Sequence, residues 1–189
     1  EWPRENVVKL LVFCNPDDDA DTKKTQEERV KRLFTAARRN DLEFLLEVIP
    51  SKVGPVDDMT TPKLIQQFYD VGVFPDWWKL EPFKTDAAWF NAVEAIERND
   101  PRTRGIVVLG LDAAQSELAA SFALAARQPL VKGFAVGRTI FGDAARAWMQ
   151  NEMSDADAVD HMAARFAGLC DVWDAARVDA RLNREKANG

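Results

Sequence analysis

Five short apolar runs, VVKLLVF, FLLEVI, WWKLE, GIVVLGL and GFAVG, alternate along the chain with amphipathic segments. The runs are rich in β-branched and aromatic residues and bounded by Pro, Gly or Asp, which predicts strands. The segments between them carry helix signals. Thr25 with Glu28 reads as a capping box ahead of Val30, Leu33, Phe34 and Ala37. Thr61-Pro62 opens a second helix that Gly72 stops, and Thr85 or Asp86 caps a third that ends before Pro101. Leu118, Phe122 and Ala125 mark a fourth, and Ala145, Trp148 and Met149 a short fifth. A last helix after Ser154 sets Val159, Met162, Phe166, Leu169 and Trp173 on one side, with residues 182–189 expected to fray.

Strands alternating with helices require parallel pairing through right-handed crossovers, so the chain is an α/β domain, either doubly wound or a (β/α) barrel. Glu47, Lys79, Gly110 and Gly137 recur at intervals near thirty residues. That is close to the pitch of a barrel of about 250 residues divided among eight units. Only five units are visible. They form either the C-terminal five units of a TIM-type barrel or an open five-stranded sheet, in both cases one domain across residues 1–189. No Gly-rich loop follows the first strand, so a nucleotide-binding sheet has no positive support.

Composition narrows the chemistry. A net charge of -6 without a basic tract argues against nucleic acid or a membrane surface as partner. No apolar run approaches the roughly 20 residues that span a bilayer, and EWPREN lacks a signal-peptide pattern; a soluble, cytoplasmic protein is expected. Cys14 and Cys170 are too few and too far apart for a disulfide scaffold or a Cys-based metal site. His161 is the one histidine, which excludes a His-rich zinc site within this chain, and its helical surroundings give it no role. Neither metal nor cofactor is expected.

Side chains alternate along strands, so Lys79 and Glu81 share a face, as do Leu45, Glu47 and Ile49 in the strand before, and Lys9, Leu11 and Phe13 in the first. Inside a barrel, Lys9, Glu47, Lys79 and Glu81 would converge near the strand ends where barrel enzymes keep their chemistry. An internal salt-bridge network accounts for such residues as readily as catalysis does. In the catalytic reading, desolvation and the neighbouring Lys9 charge disfavour a second ammonium, leaving Lys79 a nucleophile toward a carbonyl while a carboxylate shuttles protons. Further on, LVKGFAVGRTIFGDAARAW sets Gly133 and Gly137 around the last strand and Arg138 directly after it. Backbone N–H groups, a helix start and a guanidinium there could meet an anion, although an ordinary strand-to-helix turn has the same composition.

VVKLLVFCNPDD, FLLEVIPSK, PDWWKLEP and VKGFAVGRTIF, in this order, resemble the tagatose-bisphosphate aldolase type of class I aldolase barrel. They are closer still to the C-terminal aldolase-like domain fused to the sugar kinase of bacterial myo-inositol catabolism, 5-dehydro-2-deoxygluconokinase. The resemblance implies Lys79 as Schiff-base lysine, Glu47 as its proton-exchange partner, Lys9 as a further active-site lysine and Glu81 as an orienting carboxylate. It also implies a phosphate site at Arg138 and the Gly137 backbone. Where those aldolases carry a phosphate-binding serine, this chain reads Leu109-Gly110-Leu111-Asp112, so only a backbone contact at Gly110 could survive. The implied reaction is retro-aldol cleavage of 2-deoxy-5-keto-D-gluconate 6-phosphate to dihydroxyacetone phosphate and malonate semialdehyde. The implied partners are the N-terminal remainder of the barrel and a sugar kinase domain; an exposed sheet edge would also favour a homo-oligomer. Two alternatives stay open: a non-catalytic sugar-phosphate-binding domain beside a kinase, and an isomerase or epimerase using Glu47 and Glu81.

Overall fold

The computed structural model describes residues 2–110 and 115–187. Its five parallel strands are β1 (Val7–Val12), β2 (Glu43–Val48), β3 (Trp77–Leu80), β4 (Gly105–Leu109) and β5 (Val131–Ala135), in the spatial order β1-β2-β3-β4-β5. That order separates the two architectures that periodicity leaves open. Each crossover moves the chain one strand further in the same direction, and right-handed crossovers of that kind place every connecting helix on one face; a doubly wound sheet reverses direction part-way. The fold is thus five consecutive units of a barrel wall, left unclosed with β1 and β5 at its edges.

The connections are α1 (Ala20–Arg39), α2 (Thr60–Asp70), α3 (Asp86–Asn99) and α4 (Gln115–Ala125), with α5 (Arg138–Met149) and α6 (Asp155–Ala187) after the last strand. A single 3-10 turn, Pro50–Lys52, follows β2. Helix α1 starts ahead of the expected Thr25/Glu28 box because Asp19, in extended conformation, accepts from the Thr22 N–H at 2.9 Å and the Thr22 hydroxyl at 2.7 Å. Thr85 caps α3 by accepting from the Ala88 N–H, and Gly72 closes α2 at φ 81°. Among the described residues, no helix is long and apolar enough to cross a membrane.

Alternation sorts the strand side chains onto two unlike faces. Phe44, Leu46, Val48, Trp78, Leu80, Ile106 and Val108 point toward the helices and are fully buried. Trp78 also donates its indole N–H to the Tyr69 hydroxyl at 3.0 Å, so the largest ring of this layer buries no unmet donor. On the opposite face Lys9, Leu11, Leu45, Trp77, Lys79 and Val107 retain exposure.

Two expectations about the last helices change. Leu169 and Trp173 are buried as predicted, but Val159 and Phe166 are more than half exposed, and Ala158 and Ala180 complete the buried stripe. A 33-residue helix spans about 50 Å, far longer than the strands beneath it, so no single face can be covered throughout. In α5 Ala144 is buried, whereas Trp148 and Met149 are exposed and Trp148 reaches Asp155 across the turn. Residues 182–187, expected to fray, continue α6; Arg184 and Lys186 in its last turn suit the negative end of the helix.

A register shift separates Ile106, which pairs with Val131, from Val107, which pairs with Gly133, so Lys132 is an extra residue in β5. The rest of the strand is re-phased by it. Phe134 turns to the helix side, where it stacks on Phe122 at 5.0 Å, and Ala135 turns to the other face. Beside this bulge Gly105 has φ 138°, and a Cβ there would lie 2.5 Å from the Leu130 carbonyl oxygen. Gly105→Ala is therefore expected to cost about 1–3 kcal/mol, read as a lower urea midpoint. A loss smaller than about 0.5 kcal/mol, ordinary for a tolerated change, would count against this constraint.

Cys14, just past β1, is buried, and burial followed by the Asp18 charge pushes its thiol up to about 12. The thiol stays protonated below that value. Iodoacetamide near about pH 8 should label the part-buried Cys170 first and reach Cys14 only in denaturant, as peptide mapping would reveal.

Candidate functional site

Glu47 and Lys79 are direct register partners on neighbouring parallel strands, so both side chains leave the sheet on the face away from the helices. The Lys79 Nζ lies 3.1 Å from Glu47 Oε1, and its side chain is only 17% exposed. Lys9 enters from β1, where Leu11 rather than Lys9 is the register partner of Glu47, and its long stem climbs the two-residue difference. Its Nζ is 2.5 Å from Glu47 Oε2, and the Lys9 side chain is 47% exposed. This contact pairs the second ammonium with the other, buried oxygen of Glu47.

Glu47 is itself 5% exposed. A carboxylate at that depth must be matched by charge, and here two ammonium groups share it, which leaves the cluster with net positive charge. The trio therefore supplies an amine in a largely water-excluded place, a carboxylate oxygen able to accept a proton, and a field that favours an anion.

The cluster opens into a cavity of about 380 Å³, within the size range of small-molecule sites. Glu47 and Lys79 from β2 and β3 line it together with Gly137, Arg138 and Thr139 after β5, and with Leu109 and Gly110 at the end of β4. Helix α5 begins at Arg138, and Gly137 before it has no side chain with which to cap the first turn. Five sequence-predicted residues thus share the cavity wall: Glu47, Lys79, Gly110, Gly137 and Arg138. Lys9 reaches the site through Glu47 rather than through the wall.

Glu81 does not join the lysines. It follows β3 on the expected face and is buried, but its carboxylate accepts from the Ser51 hydroxyl and, at 3.2 Å, from the Ser51 N–H. The charge holds the 3-10 turn after β2 against the end of β3, and the four-membered cluster is a trio. Leu111 and Asp112 lie outside the described residues, and His161, on α6, lines no part of the cavity. Among the described residues no three or more His, Cys, Asp and Glu side chains gather where a metal ion could be held.

The apolar wall of Ile49, Val136 and Phe141 was not singled out from sequence as part of a site. Alternation from Glu47 places Ile49 on its face, whereas Val136 and Phe141 are brought in by the bulge in β5 and the turn into α5. Gly110 is needed where β4 and β5 end: a Cβ there would sit 2.9 Å from Val136 Cγ1, a stiff β-branched side chain. Gly110→Ala should cost about 1–3 kcal/mol as overpacking, and Val136→Ala in that background should recover much of it. Strict additivity of the two changes in urea unfolding would contradict this contact.

Comparison with known proteins adds three findings. A bacterial family described as "Uncharacterized protein conserved in bacteria (DUF2090)" matches residues 1–177. Among solved structures, fructose-bisphosphate aldolase from Plasmodium falciparum, crystallised with TRAP and a small-molecule inhibitor, superposes with a TM-score of 0.59 at 16% identity. The match covers 94% of this chain and 57% of that one, so this chain spans little more than half the aldolase, and the likeness is one of fold. No functionally curated protein matches the chain.

Proposed function

We propose that this chain, which belongs to the DUF2090 family, carries the Schiff-base half of a class I aldolase, with Lys79 as the nucleophile. The observation that carries this reading is the Lys79 amine 3.1 Å from a buried carboxylate, in a cavity that the start of α5 also lines. The aldolase-like fold supports it, as does the motif resemblance.

Glu47 takes a proton from the Lys79 ammonium, the freed amine attacks a ketone carbon, and loss of water gives a protonated imine. The imine draws the electron pair of the adjacent carbon–carbon bond toward nitrogen while a base removes the proton from the hydroxyl on the departing carbon, which leaves as an aldehyde. Reprotonation of the enamine carbon and hydrolysis release the second product and restore Lys79. Glu47 exchanges these protons at Oε1 and Oε2, and Lys9 keeps its charge balanced. Gly137, Arg138 and the Gly110 backbone hold a phosphate, so that the phosphorylated half stays in place as the bond breaks.

The substrate we favour is 2-deoxy-5-keto-D-gluconate 6-phosphate, cleaved to dihydroxyacetone phosphate and malonate semialdehyde in inositol catabolism. Its phosphate is borne on the carbon next to the ketone, so an anion-binding group lining the same cavity as the amine could hold it. The same resemblance supports a cytoplasmic setting and a sugar kinase and further barrel strands as partners. The open sheet favours a second reading, a sugar-phosphate-binding domain without turnover, because a barrel wall of five units leaves Lys9 half exposed.

Borohydride with dihydroxyacetone phosphate should add mass at Lys79 and at no other lysine, and Glu47→Gln should slow trapping by about 10²–10⁴-fold. Lys79→Ala keeps Lys9 as counter-charge for Glu47 and should fold. Phosphate binding that persists in Lys79→Ala, with no trapping in the parent protein, would instead establish the binding-only reading.

A further inference from the structure

We propose that Arg165 is a positioning residue for the anion end of this cavity, acting from α6 through the first turn of α5. This rests on the reading of the cavity as a phosphate-bearing substrate site. Gly137, Arg138 and Thr139 line the cavity that Lys79 also lines, and the residue before α5, Gly137, carries no side chain that could cap the helix. A tie to this wall comes from α6. Arg165 donates Nη1 to the Thr139 carbonyl oxygen at 3.0 Å, and its Nη2 lies 2.8 Å from Asp143 Oδ2.

Thr139 and Asp143 are one helical turn apart on the same side of α5, so one planar guanidinium spans that turn, a geometry a lysine ammonium does not reproduce. Arg146 meets the other Asp143 oxygen at 3.2 Å, which keeps the carboxylate turned toward α6. Arg165, then Arg146, holds the Asp143 carboxyl below its usual range, so the brace keeps its charges down through mildly acidic conditions.

The placement of the contact is what gives it a role in the site. Arg165 grips the main chain of a residue that lines the cavity, while the exposed C-terminal half of α5, with Trp148 and Met149, would have offered an equal brace with no bearing on the site. Glu47 and Lys79, on the same cavity, are fixed by strand register. A substrate whose phosphate and ketone are one carbon apart needs both ends held at a set separation, since an error of about 1 Å in a reacting geometry can cost about 10²-fold in rate. Strand pairing supplies one end, and the α6 guanidinium the other.

The test uses the full chain, inorganic phosphate as probe, and Arg165→Ala and Arg165→Lys. Phosphate Kd from calorimetry should rise about tenfold in Arg165→Ala and by less in Arg165→Lys, which keeps charge but loses the fork. Borohydride trapping at Lys79 should fall with dihydroxyacetone phosphate and stay at the parent rate with unphosphorylated dihydroxyacetone. A lower melting temperature with phosphate Kd within about twofold of the parent would overturn the proposal and leave a helix–helix brace. So would absence of phosphate binding by the parent. If Arg165→Ala does not fold, Arg165→Lys decides by the same Kd criterion. Failure of the parent to trap any carbonyl, with Arg165-dependent phosphate binding intact, would remove the aldolase chemistry and uphold this role for Arg165.

Discussion

Every connection in this sheet carries the chain one strand onward in the same direction, so all the helices, and with them the apolar core, lie on one face. The other face is relieved of packing duty. Side chains such as Lys9 and Lys79, which a two-sided core would have to exclude or neutralise, can occupy it at the level where β1, β2 and β3 end. The division follows from strand alternation: odd and even positions of one short run belong to different environments, with Trp78 and Leu80 in the core and Lys79 between them facing the cavity.

On that second face the energetic problem is the burial of Glu47. A carboxylate withdrawn from water without a counter-charge is strongly destabilising, and the parallel register answers this by setting Lys79 directly beside it. Lys9 approaches the second oxygen, so both oxygens of Glu47 are electrically compensated. Such an arrangement serves stability and proton transfer at once. Glu81, two residues beyond Lys79, meets the same problem differently: Ser51 supplies both donors, and the carboxylate is spent on a turn.

Backbone irregularities assemble the remaining wall. The extra residue in β5 sends Phe134 to the aromatic cluster around Phe122 and Trp173 and turns Ala135 toward the cavity. Gly110 lets Val136 come close to the end of β4, and the start of α5 lines the same cavity. A slip of one residue would exchange the two faces of β5, which is why a single bulge decides which groups can meet Lys79.

The order of strands and helices, their parallel pairing and the sharing of one face by Lys9, Glu47 and Lys79 were legible in the sequence, because alternation and helical spacing are local and set by covalent geometry. So was a helix over GDAARAW, although α5 begins four residues earlier, at Arg138. Periodicity alone did not give the direction of winding, since each crossover is right-handed in either architecture and the accumulated strand order tells them apart; the motif resemblance was what pointed to the barrel. Nor was the parting of Glu81 from the lysines, which depends on a serine thirty residues away, or the bulge at Lys132, which depends on the close approach of Gly105 to the Leu130 carbonyl. The grip of Arg165 on Thr139 was equally hidden. These are contacts between segments distant along the chain, and their partners are chosen by packing in three dimensions, which a one-dimensional pattern does not encode.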